Sequence, residues 1–462
     1  MTTVTPLAAH SPMPRQPLTA ERFASAFRRH FPDAVGKRVL VALSGGSDSA
    51  ALLGLLHAVA ASLSLELVVA HIHHHARGVE ADGDALFCAA RARQLGVPFE
   101  LAHLRPRRPH GCSPEAWWRD ARYRALERLR QRTGCAVVAT GHTADDQAET
   151  VLLKLLRGAG PRGVAGVRRR NAGVIRPLLD TRRADLRDWL AAGHLAFRED
   201  SSNASVERPR GRLRHDLLPR LVGAFPGAVD HLAAFAMALA DDDEFLAGEL
   251  AARATWPAPG RSVPRTDVAQ LPRALRVRWV LALASLLPLG EPPSREQLEQ
   301  IESLLVGGRP AAVDLGRRWV LRRRGSRLVL SPPPCEAFGP MPAGVPSRVE
   351  LPGGFVATLG RGGRAWHTAR LAGLAGRADL VWRSPRPGER FAGATRPLAG
   401  LLAARAVPAE WRRAWPLLLA GDTIVWAPAL GVAPGWEARP GEGVTAGLEE
   451  PWQGLGKSIR AR

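Results

Sequence analysis

The sequence predicts an α/β protein: an N-terminal parallel sheet with flanking helices, a mostly helical middle domain, and a small α+β C-terminal domain. Three observations carry this reading. Short apolar runs alternate with longer helix-patterned segments through the first third, as βαβ units require. An Ala/Leu-rich stretch with helical spacing comes next. Beyond a proline cluster, mainly short strand-like runs remain.

Taken in order, strands are expected at 38–43, 65–72, 99–104 and 135–140, and helices between them at 49–61, 83–95, 114–132 and 144–156. Ser113-Pro114 supplies an N-cap followed by proline at the first helical position. Thr143, with Asp146 three residues on, has the form of a capping arrangement. A polar, arginine-studded stretch covers 198–214. Helices are expected over 224–252, which contains Asp241-Asp242-Asp243-Glu244, and at 271–287 and 294–305, with a proline-rich break at 256–264. Short strands follow at 312–315, 319–323 and 327–330. Prolines 332–334 open a linker-like segment, and the remainder reads as short strands plus one helix at 397–405. The expected organisation is a disordered tail at 1–17, a catalytic domain at 18–220, a middle domain at 221–335, a linker at 336–347, a C-terminal domain at 348–440 and a frayed tail at 441–462.

The chain has 462 residues, of which 46% are hydrophobic and 23% charged, so whole-chain disorder, collagen and coiled coil are excluded. No run approaches about 18 consecutive apolar residues, so no membrane span is expected. The polar, proline-punctuated start has no apolar core for a signal peptide. Net charge is +21, and almost all of the positive charge is arginine, since Lys37, Lys154 and Lys457 are the lysines. Such an excess favours a polyanionic partner, although an arginine-rich codon usage produces the same bias. Cys88, Cys112, Cys135 and Cys335 show no C-x-x-C spacing. This argues against a structural zinc site or disulfide framework and fits a cytoplasmic setting.

The sharpest motif is Ser44-Gly45-Gly46-Ser47-Asp48-Ser49, between an expected strand and an expected helix. Glycines allow a tight turn and close approach to an anion, while backbone N–H groups, the helix N-terminus and serine hydroxyls make a phosphate cradle. The spacing is neither that of a nucleoside-triphosphate hydrolase loop nor that of a dinucleotide fold. A second block, Gly141-His142-Thr143-Ala144-Asp145-Asp146-Gln147-Ala148-Glu149-Thr150, follows the fourth strand, at the sheet end where ligands of open α/β sheets bind. Asp145 and Glu149 are four apart on a helix, and Asp146 and Glu149 three apart, so they are expected on one side. Clustered carboxylates there can hold Mg²⁺ or an ammonium group. A third cluster, His71-Ile72-His73-His74-His75, invites a zinc reading; the lack of neighbouring cysteine or a second ligand cluster in the sequence speaks against it.

The Ser44–Ser49 loop resembles that of the PP-loop ATP pyrophosphatases, which adenylate a carbonyl oxygen and release pyrophosphate. The second block, extended through Lys154 and Arg157-Gly158, resembles the signature of the tRNA(Ile)-lysidine synthetase family. Further elements are similar to that family: Glu115 to Arg122-Tyr123-Arg124, Arg176-Pro177-Leu178-Leu179, Glu199-Asp200-Ser201-Ser202-Asn203, and Arg210-Gly211-Arg212-Leu213-Arg214-His215 with Leu217-Leu218-Pro219. Near the C-terminus, Arg383 to Phe391, Val407-Pro408, Arg412 and Trp415 to Leu418 resemble its tRNA-recognition domain. Departures are His73 for asparagine and His75 for glycine in H-x-N-H-G-L-R, of which His71, His74 and Arg77 remain, and Thr395-Arg396-Pro397-Leu398 where lysines are usual.

The resemblance implies a PP-loop domain and ligation of L-lysine to C2 of the wobble cytidine of tRNA(Ile) with a CAU anticodon, through an adenylated cytidine, giving lysidine, AMP and pyrophosphate. It implies ATP as substrate, held by Ser44, Gly45, Gly46, Ser47, Asp48 and Ser49, and Mg²⁺ on Asp48 and Asp145. Asp146 and Glu149 are the expected lysine ligands. Asp48, His142 (the candidate base), Asp145, Arg122 and Arg212 are the expected catalytic set, with Arg212 or Arg214 on phosphate or base. Arg214, Arg383, Arg386, Arg390 and Arg396 are the expected tRNA contacts. A homodimer is left open. The rival readings are a PP-loop tRNA thiolase, which the absence of paired cysteines disfavours, a small-molecule amidotransferase-type synthetase, and a non-catalytic RNA-binding protein.

Overall fold

A computed structural model describes residues 17–75, 78–104, 114–199, 209–289, 291, 293–360, 365, 367–439, 441–449 and 451. Arg77, the Ser113 cap, Asp200 to Asn203, most of the expected N-terminal tail and the last residues lie outside them. The chain divides into two compact units between Glu244 and Phe245.

The first unit opens with α1 (Ala20–His30), capped by Thr19, whose side chain accepts from the Arg22 N–H. Next come β1 (Arg38–Ala42), α2 (Ser47–Val59), β2 (Glu66–His73), α3 (Val79–Gln94), β3 (Phe99–His103), α4 (Pro114–Arg132), β4 (Val137–Ala139) and α5 (Ala144–Leu156). A short α6 (Pro161–Val164), the pair β5 (Arg170–Asn171) and β6 (Val174–Ile175), and α7 (Arg183–Ala192) complete the sheet layer. Strand order is β3-β2-β1-β4-β6-β5, parallel except for β5 against β6. Every strand and helix expected before residue 160 is present, with ends shifted by a few residues.

The apolar runs read as strands because both sheet faces are covered. Val39 and Val41 pack with α1, α2 and α7 residues such as Phe27, Leu52 and Leu190. The alternate Leu40 packs with Val68, Ala125 and Leu129 on the other face. Helix α2 is buried almost all round, with Leu52, Leu53, Leu55 and Leu56 fully enclosed. The order reverses between β1 and β4, and the crevice beyond their C-terminal ends holds the loops after both strands.

Three helices follow the sheet: α8 (Pro209–Arg212), α9 (Leu218–Ala224) and α10 (Ala228–Arg253), with a π-helical turn over Leu213–Leu217. Leu218, Val229 and Ala233 pack on Ala144 and Ala148 of α5, which brings the arginine-studded segment back to the acidic block. The division between units falls inside α10, later than the expected boundary after residue 220.

The second unit contains β7 (Val263–Pro264), α11 (Arg265–Ala269), α12 (Arg273–Leu286), α13 (Arg295–Val306), β8 (Ala312–Gly316), β9 (Trp319–Arg324) and β10 (Arg327–Ser331). Then follow β11 (Met341–Pro342), β12 (Ser347–Leu351), β13 (Phe355–Gly360), β14 (His367–Leu371), β15 (Leu380–Arg383), α14 (Leu398–Ala404), β16 (Leu417–Ala420), β17 (Thr423–Ala427), β18 (Gly431–Val432) and β19 (Val444–Glu449). They form three sheets, β7-β10-β9-β8, β11-β15-β16-β17-β18 and β12-β13-β19-β14.

Two expectations are corrected here. The 336–347 segment is not a free linker: Met341 and Pro342 pair with Trp382 and Val381, and Ala343 is buried. The 441–462 tail is not frayed from its start, because β19 lies between β13 and β14 and hydrogen-bonds to both. Its Val-Thr-Ala-Gly-Leu-Glu sequence looks like a tail only when its partners are out of view.

Candidate active site at the switch point

The loop after β1 is built by its own side chains. Ser49 Oγ donates to the Gly46 carbonyl at 3.0 Å, accepts from the Ser44 N–H at 3.2 Å and lies 3.0 Å from Ser44 Oγ. Gly45 has φ +97°, a conformation that costs an L side chain about 1–2 kcal/mol. Gly46 is the N-cap of α2 with no side-chain cap, and Ser47 Oγ bonds Asp48 Oδ1 at 3.2 Å. The first N–H groups of an apolar, buried helix therefore face the crevice with no capping side chain. The loop after β4 closes against this turn: a Cβ on Gly141 would stand 3.0 Å from the Asp48 backbone carbonyl and 3.1 Å from the Ser49 nitrogen.

The acidic block starts α5 with the expected capping box: Thr143 Oγ1 accepts from the Asp146 N–H, and Asp146 Oδ2 accepts from the Thr143 N–H at 3.0 Å. The other oxygen, Asp146 Oδ1, accepts from Arg183 at 3.0 Å and Arg214 at 3.3 Å. Arg183 also donates to Asp48 Oδ2 at 3.0 Å and stands 3.8 Å from Glu149. Glu149 is fully buried, with Arg214 Nε at 2.7 Å and Arg210 Nε at 3.2 Å. One arginine thus ties the cradle's Asp48 to both carboxylates expected to bind lysine.

Electrostatics follow from burial and these pairs. Burial raises the Asp48 pKa by more than Arg183 lowers it. Burial works against Asp146 as well, but Arg183 and the Thr143 N–H outweigh it, so its pKa falls. Arg183 is held more firmly protonated by Asp146 and Asp48 despite its own burial. Burial, reinforced by Arg176, takes His142 down to about 4; Arg122 and Arg210 push the same way. His142 Nδ1 sits 3.0 Å from Thr140 Oγ1.

Several sequence expectations change. Asp145 does not share the side occupied by Asp146 and Glu149: its carboxylate takes Arg182 at 3.2 Å and the Arg183 N–H at 2.7 Å, anchoring the start of α7. Asp48 and Asp145, the carboxylates expected to hold Mg²⁺, are each paired with an arginine, Asp48 with Arg183 and Asp145 with Arg182. Arg212 is exposed, while Arg210 and Arg214, one helical turn apart, occupy Glu149. Arg214 therefore belongs to this cluster in the structure, where a tRNA-backbone role was expected. A neutral His142 with a pKa of about 4 is poorly matched to a base working near pH 7. Arg122 lies 5.4 Å from the Tyr123 ring centroid. Arg383 is buried and paired with Glu389, with 2.9 Å between Nη1 and Oε2, so it is an internal brace rather than a surface contact. Arg386, Arg390 and Arg396 are exposed.

Residues given no site role from the sequence are Arg182, Arg183, Arg210 and, although it lies in the acidic block, Gln147. Gln147 accepts from the Val167 N–H at 2.6 Å and donates to its carbonyl at 3.1 Å, so it pins a loop. The signal for Arg182 and Arg183 was their position shortly after the R-P-L-L element.

Comparison with known proteins places this geometry. A PP-loop domain family model matches residues 19–221, and a TilS substrate C-terminal domain model matches 380–446. The tRNA(Ile)-lysidine synthase of Symbiobacterium thermophilum is 33% identical over 445 residues, covering 86% of this chain and 90% of that protein. The chain belongs to the tRNA(Ile)-lysidine synthase family. The family member of Alkalilimnicola ehrlichii is 37% identical over 423 residues, covering 87% and 91%. That of Solibacter usitatus is 32% identical over 451 residues, covering 90% and 99%. Membership thus spans both compact units and is not confined to the ATP-binding part.

Proposed function

We propose that the chain uses ATP to join L-lysine to C2 of the wobble cytidine, position 34, of tRNA(Ile) with a CAU anticodon. Cytidine O2 attacks the α-phosphorus and pyrophosphate leaves; the lysine amine then attacks C2 and AMP departs with that oxygen. The observation that carries this is the Arg183 bridge, which puts a phosphate cradle and a buried acidic patch into one site.

Ser44, Gly45, Gly46, Ser47 and Ser49 with the α2 N-terminus hold the departing diphosphate, where preorganised donors are worth most. Asp48 is the carboxylate at the cradle that would hold a hard cation such as Mg²⁺, which would supply charge neutralisation there. Asp145 is spent on α7 and takes no part in that site. Asp146 and Glu149 receive the lysine ammonium when Arg210 and Arg214 exchange their carboxylates for substrate phosphate. Arg122 and Arg176 add positive potential beside His142. Exposed Arg386, Arg390 and Arg396 grip the tRNA backbone. The work is cytoplasmic, where tRNA and ATP are found; no single helix among the described residues is long and apolar enough to cross a membrane.

The thiolase reading finds no support among the described cysteines. Burial takes the Cys88 thiol up to about 12 and raises Cys135, the reverse of what a sulfur-transfer thiolate needs. The test combines purified protein, ATP, Mg²⁺, labelled lysine and a CAU-anticodon transcript. ATP-dependent lysine incorporation, with the lysine KM raised at least tenfold in Glu149→Gln, is expected. Incorporation of sulfur from a sulfur donor in place of lysine would sink the reading.

A further inference from the structure

The C-terminal ends of β2 and β3 carry a histidine cluster that the chemistry above does not use. His73 and His103 are register partners on the parallel pair, so their side chains project side by side. His75 lies two residues beyond the end of β2, with Nε2 2.9 Å from His103 Nδ1. One ring nitrogen from each of His73, His75 and His103 falls within 4.8 Å of the others, and among the described residues this trio alone meets that spacing. Two nitrogens bound at about 2.0–2.1 Å to one tetrahedral ion stand a little over 3 Å apart, close to what His75 and His103 already show.

Two further observations point to a ligand. Asp82 of α3 accepts from His73 Nε2 at 3.0 Å, the carboxylate–imidazole arrangement that fixes a ligand's tautomer and leaves Nδ1 with the lone pair. That lone pair accepts from the His75 N–H at 3.3 Å, a long contact. His75 itself has φ +53°, a left-handed conformation that glycine adopts freely and histidine at a cost of about 1 kcal/mol or more. This is the position where the family pattern reads glycine. A side chain held in strained backbone and aimed at two other imidazoles invites a functional reading.

We propose that His73, His75 and His103 bind one borderline-soft divalent cation of the Zn²⁺ type, with Asp82 orienting His73. All-imidazole donors select Zn²⁺, Co²⁺ or Ni²⁺ over the oxygen-seeking Mg²⁺ that accompanies ATP, so the two ions do not compete. The bound ion staples the segment after β2 to the end of β3. From there a chain of contacts leads to the phosphate loop: Asp84 on α3 pairs with Arg198 Nε at 2.6 Å, and the Arg198 N–H donates to the Gly45 carbonyl at 2.9 Å.

The test uses full-length, tag-free protein stripped with chelator and titrated with Zn²⁺ and Co²⁺. One Zn²⁺ per chain surviving gel filtration is expected, with an intense tetrahedral Co²⁺ visible spectrum and a Zn²⁺-dependent rise in Tm. His75→Gly and His103→Gln should each weaken binding at least tenfold and remove the Tm rise. Asp82→Asn should weaken it about 10- to 100-fold. In chelator, His75→Gly should melt at or above wild type, because the backbone strain is relieved; lost binding is then not lost folding. Unchanged Zn²⁺ stoichiometry in both histidine variants, or a wild-type Tm indifferent to Zn²⁺, would overturn the proposal.

Discussion

Glu149 is tolerable as a fully buried carboxylate because Arg210 and Arg214 reach it, whereas Arg212 between them is exposed to solvent. Replacing Arg210 or Arg214 with alanine should therefore lower kcat/KM for lysine ligation by about 100-fold or more, on the scale of losing a charged group in a water-poor site. Arg212→Ala should stay within about threefold at moderate salt; steady-state kinetics on the three variants checks the order. His142 makes a separate prediction. Its folded pKa of about 4 lies below the unfolded 6.5, so the unfolded chain binds the extra proton between them. Stability from this group is full above about pH 6.5 and is lost as pH falls toward 4, at no more than about 1.4 kcal/mol per pH unit. Urea unfolding at stepped pH should show a shallower acid loss in His142→Gln than in wild type. The cradle serines and the Asp146–Glu149 pair were legible in the sequence because their geometry is local, a turn and one helical turn. Arg183 was not, since its partner Asp48 lies 135 residues away and arginine is everywhere in this chain.

At the scale of elements, the site depends on how tightly the loop after β4 rests on the start of α2. Gly141→Ala would press a methyl group against the Asp48 carbonyl and Ser49 nitrogen, both backbone atoms that cannot swing aside. The helix start must then move by a few tenths of an ångström, so the KM for ATP should rise about tenfold while Tm falls by only a few degrees. ATP titration and thermal melting on the same preparation separate the two; an unchanged KM would mean that the cradle does not hold the nucleotide. The alternation of strands and helices was readable because both faces of the sheet are covered at its centre, which makes β1, β2 and β4 mainly buried apolar runs. Strand β19 was not readable, because six residues between Gly443 and the Glu450-Pro451 pair declare themselves only through neighbours on both sides.

For the whole molecule, the +21 charge is the governing quantity in any encounter with nucleic acid. Exposed Arg386, Arg390 and Arg396 are expected to act as phosphate contacts. The triple alanine variant should weaken binding of all tRNAs alike. It should also flatten the dependence of log affinity on log salt by about one unit for each phosphate no longer neutralised. Arg383→Ala should act differently, unseating Glu389 and the loop after β15, which shows as a lower melting temperature with or without tRNA. Charge and composition told of a polyanionic partner but could not separate braces from contacts, since both are arginines in one short stretch. The position of β19 carries one more consequence. The strand that joins β13 to β14 follows both of them in the chain, so the sheet cannot close around a polypeptide that stops before residue 444. A copy truncated there would leave β13 and β14 each with an unmated edge, the kind of exposed backbone that invites non-native pairing and proteolysis.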